Sequence, residues 1–101
     1  MAADAAQCID RLEREIEVCT FLSASRLKRN AAALVSDILD CIEVTPHVRA
    51  TADQTTSAVV DFARAVGLFE PAIEERNAAL ASLMELRAAV LVWPEMLQAA
   101  E

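Results

Sequence analysis

The sequence predicts an all-α fold, an antiparallel helical bundle forming one domain over residues 1–101. Three observations predict it. Breakers are scarce, with one glycine (Gly67) and three prolines (Pro46, Pro71, Pro94). Apolar residues reach 55% while aromatics are only 4%, so Ala, Leu, Val and Ile supply the apolar surface beside abundant Glu and Arg. That mixture favours helix. Apolar residues also recur at steps of three and four along most of the chain. A β-sandwich would need turn residues every ten positions or so, and the sequence lacks them.

The first segment, Asp4 to Glu43, holds neither Gly nor Pro. Its early apolar seam is Ile9, Leu12, Ile16 and Cys19. Continued in phase, that seam meets Ser23 and Arg26, which are poor core residues. The later seam is Leu27, Ala31, Leu34, Ile38 and Ile42, widened by Val35 and Leu39, and it is offset from the first. Two arrangements explain the offset. A continuous helix lets the seam drift, as a stutter does. A helix broken near residues 23–25 restarts on a serine cap. The lack of Gly or Pro favours the continuous form, about 60 Å long at about 1.5 Å per residue. Its later neighbours are half that length, so part of its apolar face would overhang and need a second copy or another protein. The broken form gives a four-helix bundle of near-equal helices.

Two joints follow. In "EVTPHV", Thr45 is a good N-cap and Pro46 fits the first helical position, where its missing N–H is harmless. The helix that begins there runs about 20 residues, with Val48, Ala52, Thr55, Val59, Phe62, Ala63 and Val66 inward. Arg49, Asp53, Asp61 and Arg64 fall outward. In "VGLFEP", Gly67 is the residue suited to a positive φ, a natural stop just past the helix end. Pro71 then opens the last helix, with Glu74 and Glu75 placed where the helix dipole favours acids. This helix offers Ile73, Leu80, Leu83, Met84, Leu86, Val90 and Leu91, more apolar surface than one stripe requires, so two of its faces are expected to be covered. Pro94 disfavours helix at Trp93 and ends the segment near Val92.

Charge excludes one class of partner. Sixteen Asp+Glu against nine Lys+Arg give −7, and an acidic chain repels a phosphate backbone. The basic knot from Arg26 to Asn30 reads as a solvated helical turn. Cys8, Cys19 and Cys41 are odd in number and are not preceded by a signal-peptide pattern, so an intracellular reducing compartment, cytoplasmic or nuclear, is expected. All three sit on or beside apolar seams, as small buried hydrophobes do. No uncharged window approaches the roughly 20 residues that span a bilayer.

Catalytic, cofactor and metal chemistry have no sequence signature. His47 is the sole histidine, and no CxxC, HExxH or paired ExxH occurs. One glycine cannot make a Gly-rich phosphate loop. The leucine spacing of Leu83, Leu86, Val90 and Val92 matches an export signal, but Leu34, Ile38, Ile42 and Val44 nearly match it too, as amphipathic helices do by default. The chain is therefore expected to be a non-enzymatic, cofactor-free protein–protein interaction module, a subunit of a homo- or hetero-oligomer formed by helix packing. A membrane-surface, lipid-associated bundle is the alternative, followed by a cofactor-binding bundle. The expected contacts are Trp93, Met96 and Leu97 as an apolar hook after the last helix, with Leu83, Leu86, Ile9, Leu12 and Ile16 on the adjoining seams.

Overall fold

The computed structural model describes residues 4–92. Every regular element among them is helical: α1 (Ala5–Glu17), α2 (Phe21–Leu39), α3 (Pro46–Gly67) and α4 (Ile73–Arg87), which runs on into a π-helical turn at Ala88–Val92. α1 packs on α2 and α4, α2 on α3, and α3 on α4, around one shared core.

The long first helix is not observed. The chain breaks at Val18–Thr20, before the expected 23–25, and α1 is 13 residues long. Asp4 caps α1 by accepting a hydrogen bond from the Gln7 N–H at 2.8 Å. The helix closes where the Val18 N–H reaches the Arg14 carbonyl. Thr20 then turns extended (φ −123°, ψ 174°) as the N-cap of α2. Its own N–H donates to the Ser23 Oγ at 3.0 Å, the returning half of a capping box. The break re-phases the helix. Instead of Ser23 and Arg26, α2 buries Ala24 and Leu27, then Ala31, Leu34, Val35 and Ile38. Two hydroxyl residues thus make a joint that contains neither Gly nor Pro. α1 lays its own stripe of Ala5, Ile9, Leu12 and Ile16 into the common core.

α3 begins as expected. Thr45 Oγ1 accepts from the Val48 N–H at 3.2 Å, and Pro46 occupies the first turn. Its buried stripe is rich in small residues: Thr51, Ala52, Thr55, Val59, Phe62, Ala63 and Ala65. Such a stripe lets neighbouring backbones come close. Thr55, fully buried, donates its hydroxyl to the Thr51 carbonyl at 2.8 Å and also lies 3.2 Å from the Ser82 carbonyl of α4. No buried side-chain polar atom among the described residues lacks a hydrogen bond, so this core meets the cost of burying polarity.

The end of α3 departs from expectation at Gly67. This glycine is the last helical residue, and its φ is not positive. The left-handed residue is Phe69, with φ 58°. The Phe69 N–H reaches the Val66 carbonyl at 3.1 Å and the Glu70 N–H reaches the Ala65 carbonyl at 3.0 Å. Those are the two bonds of a Schellman motif, with phenylalanine where glycine is usual. Gly67 faces Ala24 of α2, where a Cβ would lie at an ordinary 3.8 Å contact from the Ala24 Cβ, so neither the turn nor the packing requires glycine there.

α4 starts two residues after Pro71, on Ala72, with no side-chain cap, and Glu74 and Glu75 do fall in its first turn. Among the described residues, one of its faces is covered. Ala79, Ser82, Leu83, Leu86 and Val90 are buried, whereas Met84 and Ile73 are 69% and 74% exposed. Arg87 ties the end of α4 to α1 by pairing with Asp10 and, at 3.6 Å, with Glu13.

Candidate interaction surface

The two apolar joints come together. Val18 and Thr20 lead into α2, while Leu68 and Phe69 lead out of α3. The rings of Phe21 and Phe69 stack with centroids 4.1 Å apart and planes inclined by 22°. Gly67 beside Ala24 brings the two chain segments to the same end of the molecule. A cluster of large apolar side chains results there: Leu22 is 91% exposed, Phe69 75%, Val18 and Leu68 each 60%, and Phe21 49%. Isolated apolar residues on a surface are ordinary, whereas here five large ones lie on two short segments joined by a ring stack.

The local geometry explains the exposure. Phe21 and Leu22 are the first two residues of α2, so they precede the stripe that starts at Ala24. The Schellman turn rotates Phe69 off the α3 stripe and holds its ring over Phe21. A bulky L-residue in the left-handed region carries strain of roughly 1–2 kcal/mol. Strain of this kind concentrates at functional sites. Sequence reasoning missed the patch because it assigned the turn conformation to Gly67. The signal was present in "GLFEP": two large apolar residues between a helix end and a proline, where a solvated loop would carry polar ones.

The residues expected to contact partners are placed otherwise. Ile9, Leu12, Ile16, Leu83 and Leu86 are all buried at 2% exposure or less by the chain's own helices, so in this conformation their surface is already taken. The expectation that an overhanging N-terminal seam receives a second chain falls with the long helix. Trp93, Met96 and Leu97 lie outside the described residues.

Chemistry-bearing residues remain dispersed. His47 is exposed on the first turn of α3. An open groove along the α2–α3 seam is lined by Ala32, Val35, Ser36, Leu39, Arg49 and Asp53, among others, and contains neither His nor Cys. No cluster of three metal-ligating side chains occurs among the described residues. No described helix is long and apolar enough to cross a membrane.

The cysteines are less buried than their seam positions suggest. Cys8 and Cys19 are half-buried and Cys41 is exposed. Cys41 lies just beyond α2, past the last buried position of that helix, and its Sγ–H donates to the Asp37 carbonyl at 3.3 Å. Burial pushes the Cys8 thiol above its ordinary value, and a hydrogen bond with the Cys41 thiol pushes the same way. Burial also raises Cys19.

No protein-family model, curated protein or solved structure matches this chain.

Proposed function

We propose that the chain is a non-enzymatic protein–protein interaction module, a small helical subunit of a homo- or hetero-oligomeric assembly in a reducing compartment. Its helices are read as an antiparallel bundle, and its contact surface is the apolar end formed by Val18, Phe21, Leu22, Leu68 and Phe69. One observation carries the reading: a phenylalanine is held in a left-handed turn, mostly exposed, stacked on a second exposed ring. A turn selected for stability alone would place glycine there. Aromatic residues on a rigid turn make large contact area at low entropic cost, which is how a few residues come to dominate binding.

The test is a double variant, Leu22→Ser with Phe69→Asn. Asparagine tolerates the left-handed region, so the turn is kept while the ring is lost. Wild-type and variant chains are compared by sedimentation velocity at two concentrations and by capture of partners from an extract of the source cells. The expected result is a folded variant, by circular dichroism, that loses self-association or a defined set of partners. Identical sedimentation and identical partners for the two chains would remove the apolar end from the interface and sink the proposal. Vesicle co-sedimentation abolished by the same variant would move the assignment to a lipid surface.

A further inference from the structure

The apolar end is bordered by acids. Glu17 precedes Val18, Glu70 follows Phe69, and both are exposed. Glu74 and Glu75 come next, in the first turn of α4 beside Ile73, itself 74% exposed. Over residues 15–25 and 65–75 the chain carries five glutamates and neither Lys nor Arg. The nearest cations along the chain are Arg14, Arg26, Arg64 and Arg76, and two of them are engaged. Arg26 lies 4.0 Å from Glu15, and Arg64 lies 3.5 Å from Asp61. Among the described residues neither Glu17 nor Glu70 forms an ion pair.

We propose that this end docks a cationic amphipathic segment of another protein. Its apolar side chains cover Val18, Phe21, Leu22, Leu68 and Phe69, and its Lys or Arg side chains meet Glu17 and Glu70. The inference rests on reading this end as the contact surface and adds the chemistry of the partner.

Charge decides between the occupants. A second copy would bring the same patch against itself about a two-fold axis, so acids would face acids across the border. Like charges set against each other suppress a partner. An anionic lipid surface is disfavoured for the same reason, since such surfaces attract Lys and Arg clusters. A cationic segment gains where those occupants lose, and the net charge of −7 favours its approach from a distance. The border charges set the choice of partner and the rate of encounter, while the apolar side chains hold it.

The experiment titrates a fluorescein-labelled amphipathic peptide of Leu and Lys, and its Leu and Glu counterpart, with the full chain and reads anisotropy. Three double variants are compared with wild type after circular dichroism has confirmed their folding. Leu22→Ser with Phe69→Asn removes apolar anchors. Glu17→Lys with Glu70→Lys reverses the border. Lysine at the last residue of α1 suits the helix dipole, and Glu70 bonds Ala65 through its backbone N–H, so the fold needs neither carboxylate. Asp40→Lys with Glu43→Lys makes the same change in net charge beyond the far end of α2, about 28 Å from Phe21 at about 1.5 Å per residue.

Wild type is expected to bind the Leu and Lys peptide but not the Leu and Glu one, and to bind it several-fold more weakly at high salt. Reversal at Glu17 and Glu70 should weaken binding about tenfold, and reversal at Asp40 and Glu43 less than about twofold. The apolar variant should weaken it by more than about tenfold. Equal weakening by the two charge reversals would mean that net charge alone attracts the peptide, and the proposal falls. It falls too if the Leu and Lys peptide does not bind. If binding survives reversal at Glu17 and Glu70 but not loss of the apolar anchors, the contact surface stands and the cationic partner is refuted. Full binding by the apolar variant removes the surface itself. Self-association in sedimentation velocity, abolished by the apolar variant, would give the surface to a second copy instead.

Discussion

Glycine and alanine should have opposite effects at two positions only two residues apart. Position 67 is helical, with an ordinary negative φ, and an added Cβ would meet the Ala24 Cβ at a normal 3.8 Å. Glycine in a helix costs about 0.8–1 kcal/mol relative to alanine. At the last helical residue, part of that is lost to fraying, so Gly67→Ala is expected to stabilise by about 0.5–1 kcal/mol. Position 69 is left-handed at φ 58°. There an L-residue carries about 1–2 kcal/mol of strain, and glycine removes it at an unfolded-state cost of about 0.5–1 kcal/mol. Phe69→Gly should therefore be more stable than Phe69→Ala by about 0.5–1 kcal/mol, although both lose the stack with Phe21. The comparison within position 69 cancels the stack and isolates the backbone. Urea unfolding followed by circular dichroism reads the midpoints, with the slope m as a check on the denatured state. About 1 kcal/mol corresponds to about 4–8 °C in melting temperature for a domain of this size. If Gly67→Ala lowers the midpoint while Phe69→Gly and Phe69→Ala coincide, the left-handed residue is Gly67 and the account of the turn is refuted.

Three further outcomes test the core and the thiols. Leu86→Ala, at a site with 0% exposure, should cost about 2–5 kcal/mol by loss of transfer energy and by the cavity left behind. A cost below 1 kcal/mol in urea unfolding would contradict its placement. Thr55→Val keeps the shape but deletes the hydroxyl that donates to Thr51 and lies near Ser82. Those carbonyls belong to helices, so the loss should be about 1 kcal/mol rather than the larger cost of an orphaned group, and an equal or more stable Thr55→Val chain would remove the bond from the ledger of α3–α4 contacts. Cys8 and Cys19 both titrate above the ordinary thiol value of 9.0 in the folded chain. The folded state then holds more protons than the unfolded state in alkali, so stability is intact below about pH 9 and falls as pH rises through the folded values. Urea midpoints flat from pH 8 to pH 11 in reduced protein would contradict the raised values.

Much of the fold was legible in the periodicity. On α3, Val48, Ala52, Thr55, Val59, Phe62 and Ala63 are inward as the pattern implies, because a helix with one core-facing side leaves a regular trace. Thr45–Pro46 was legible for the same local reason, since cap and first-turn proline act within four residues. The α1–α2 joint was harder. Its cue is a hydroxyl cap at Thr20 with Ser23 three residues on, and serines and threonines also sit harmlessly inside helices. The offset between the seams was visible, but composition alone favoured drift over a break. The surface was the least legible part. Whether Phe69 is strained and exposed depends on which residue takes the left-handed position, and that position falls two residues past the glycine that composition singles out.

The break at Val18–Thr20 also changes what sustains α1. A continuous helix over residues 4–43 would be long enough to hold its first turns by propagation from the rest. Cut to 13 residues, α1 falls at the length where an isolated helix is marginal in water, because nucleation is costly and few bonds follow it. Its helicity is therefore supplied by docking Ile9, Leu12 and Ile16, and by the Arg87 pairing with Asp10 and Glu13. Docking and coil-to-helix ordering become one event at α1. Among the four helices, it is the segment whose amide protons should exchange through local release rather than global unfolding.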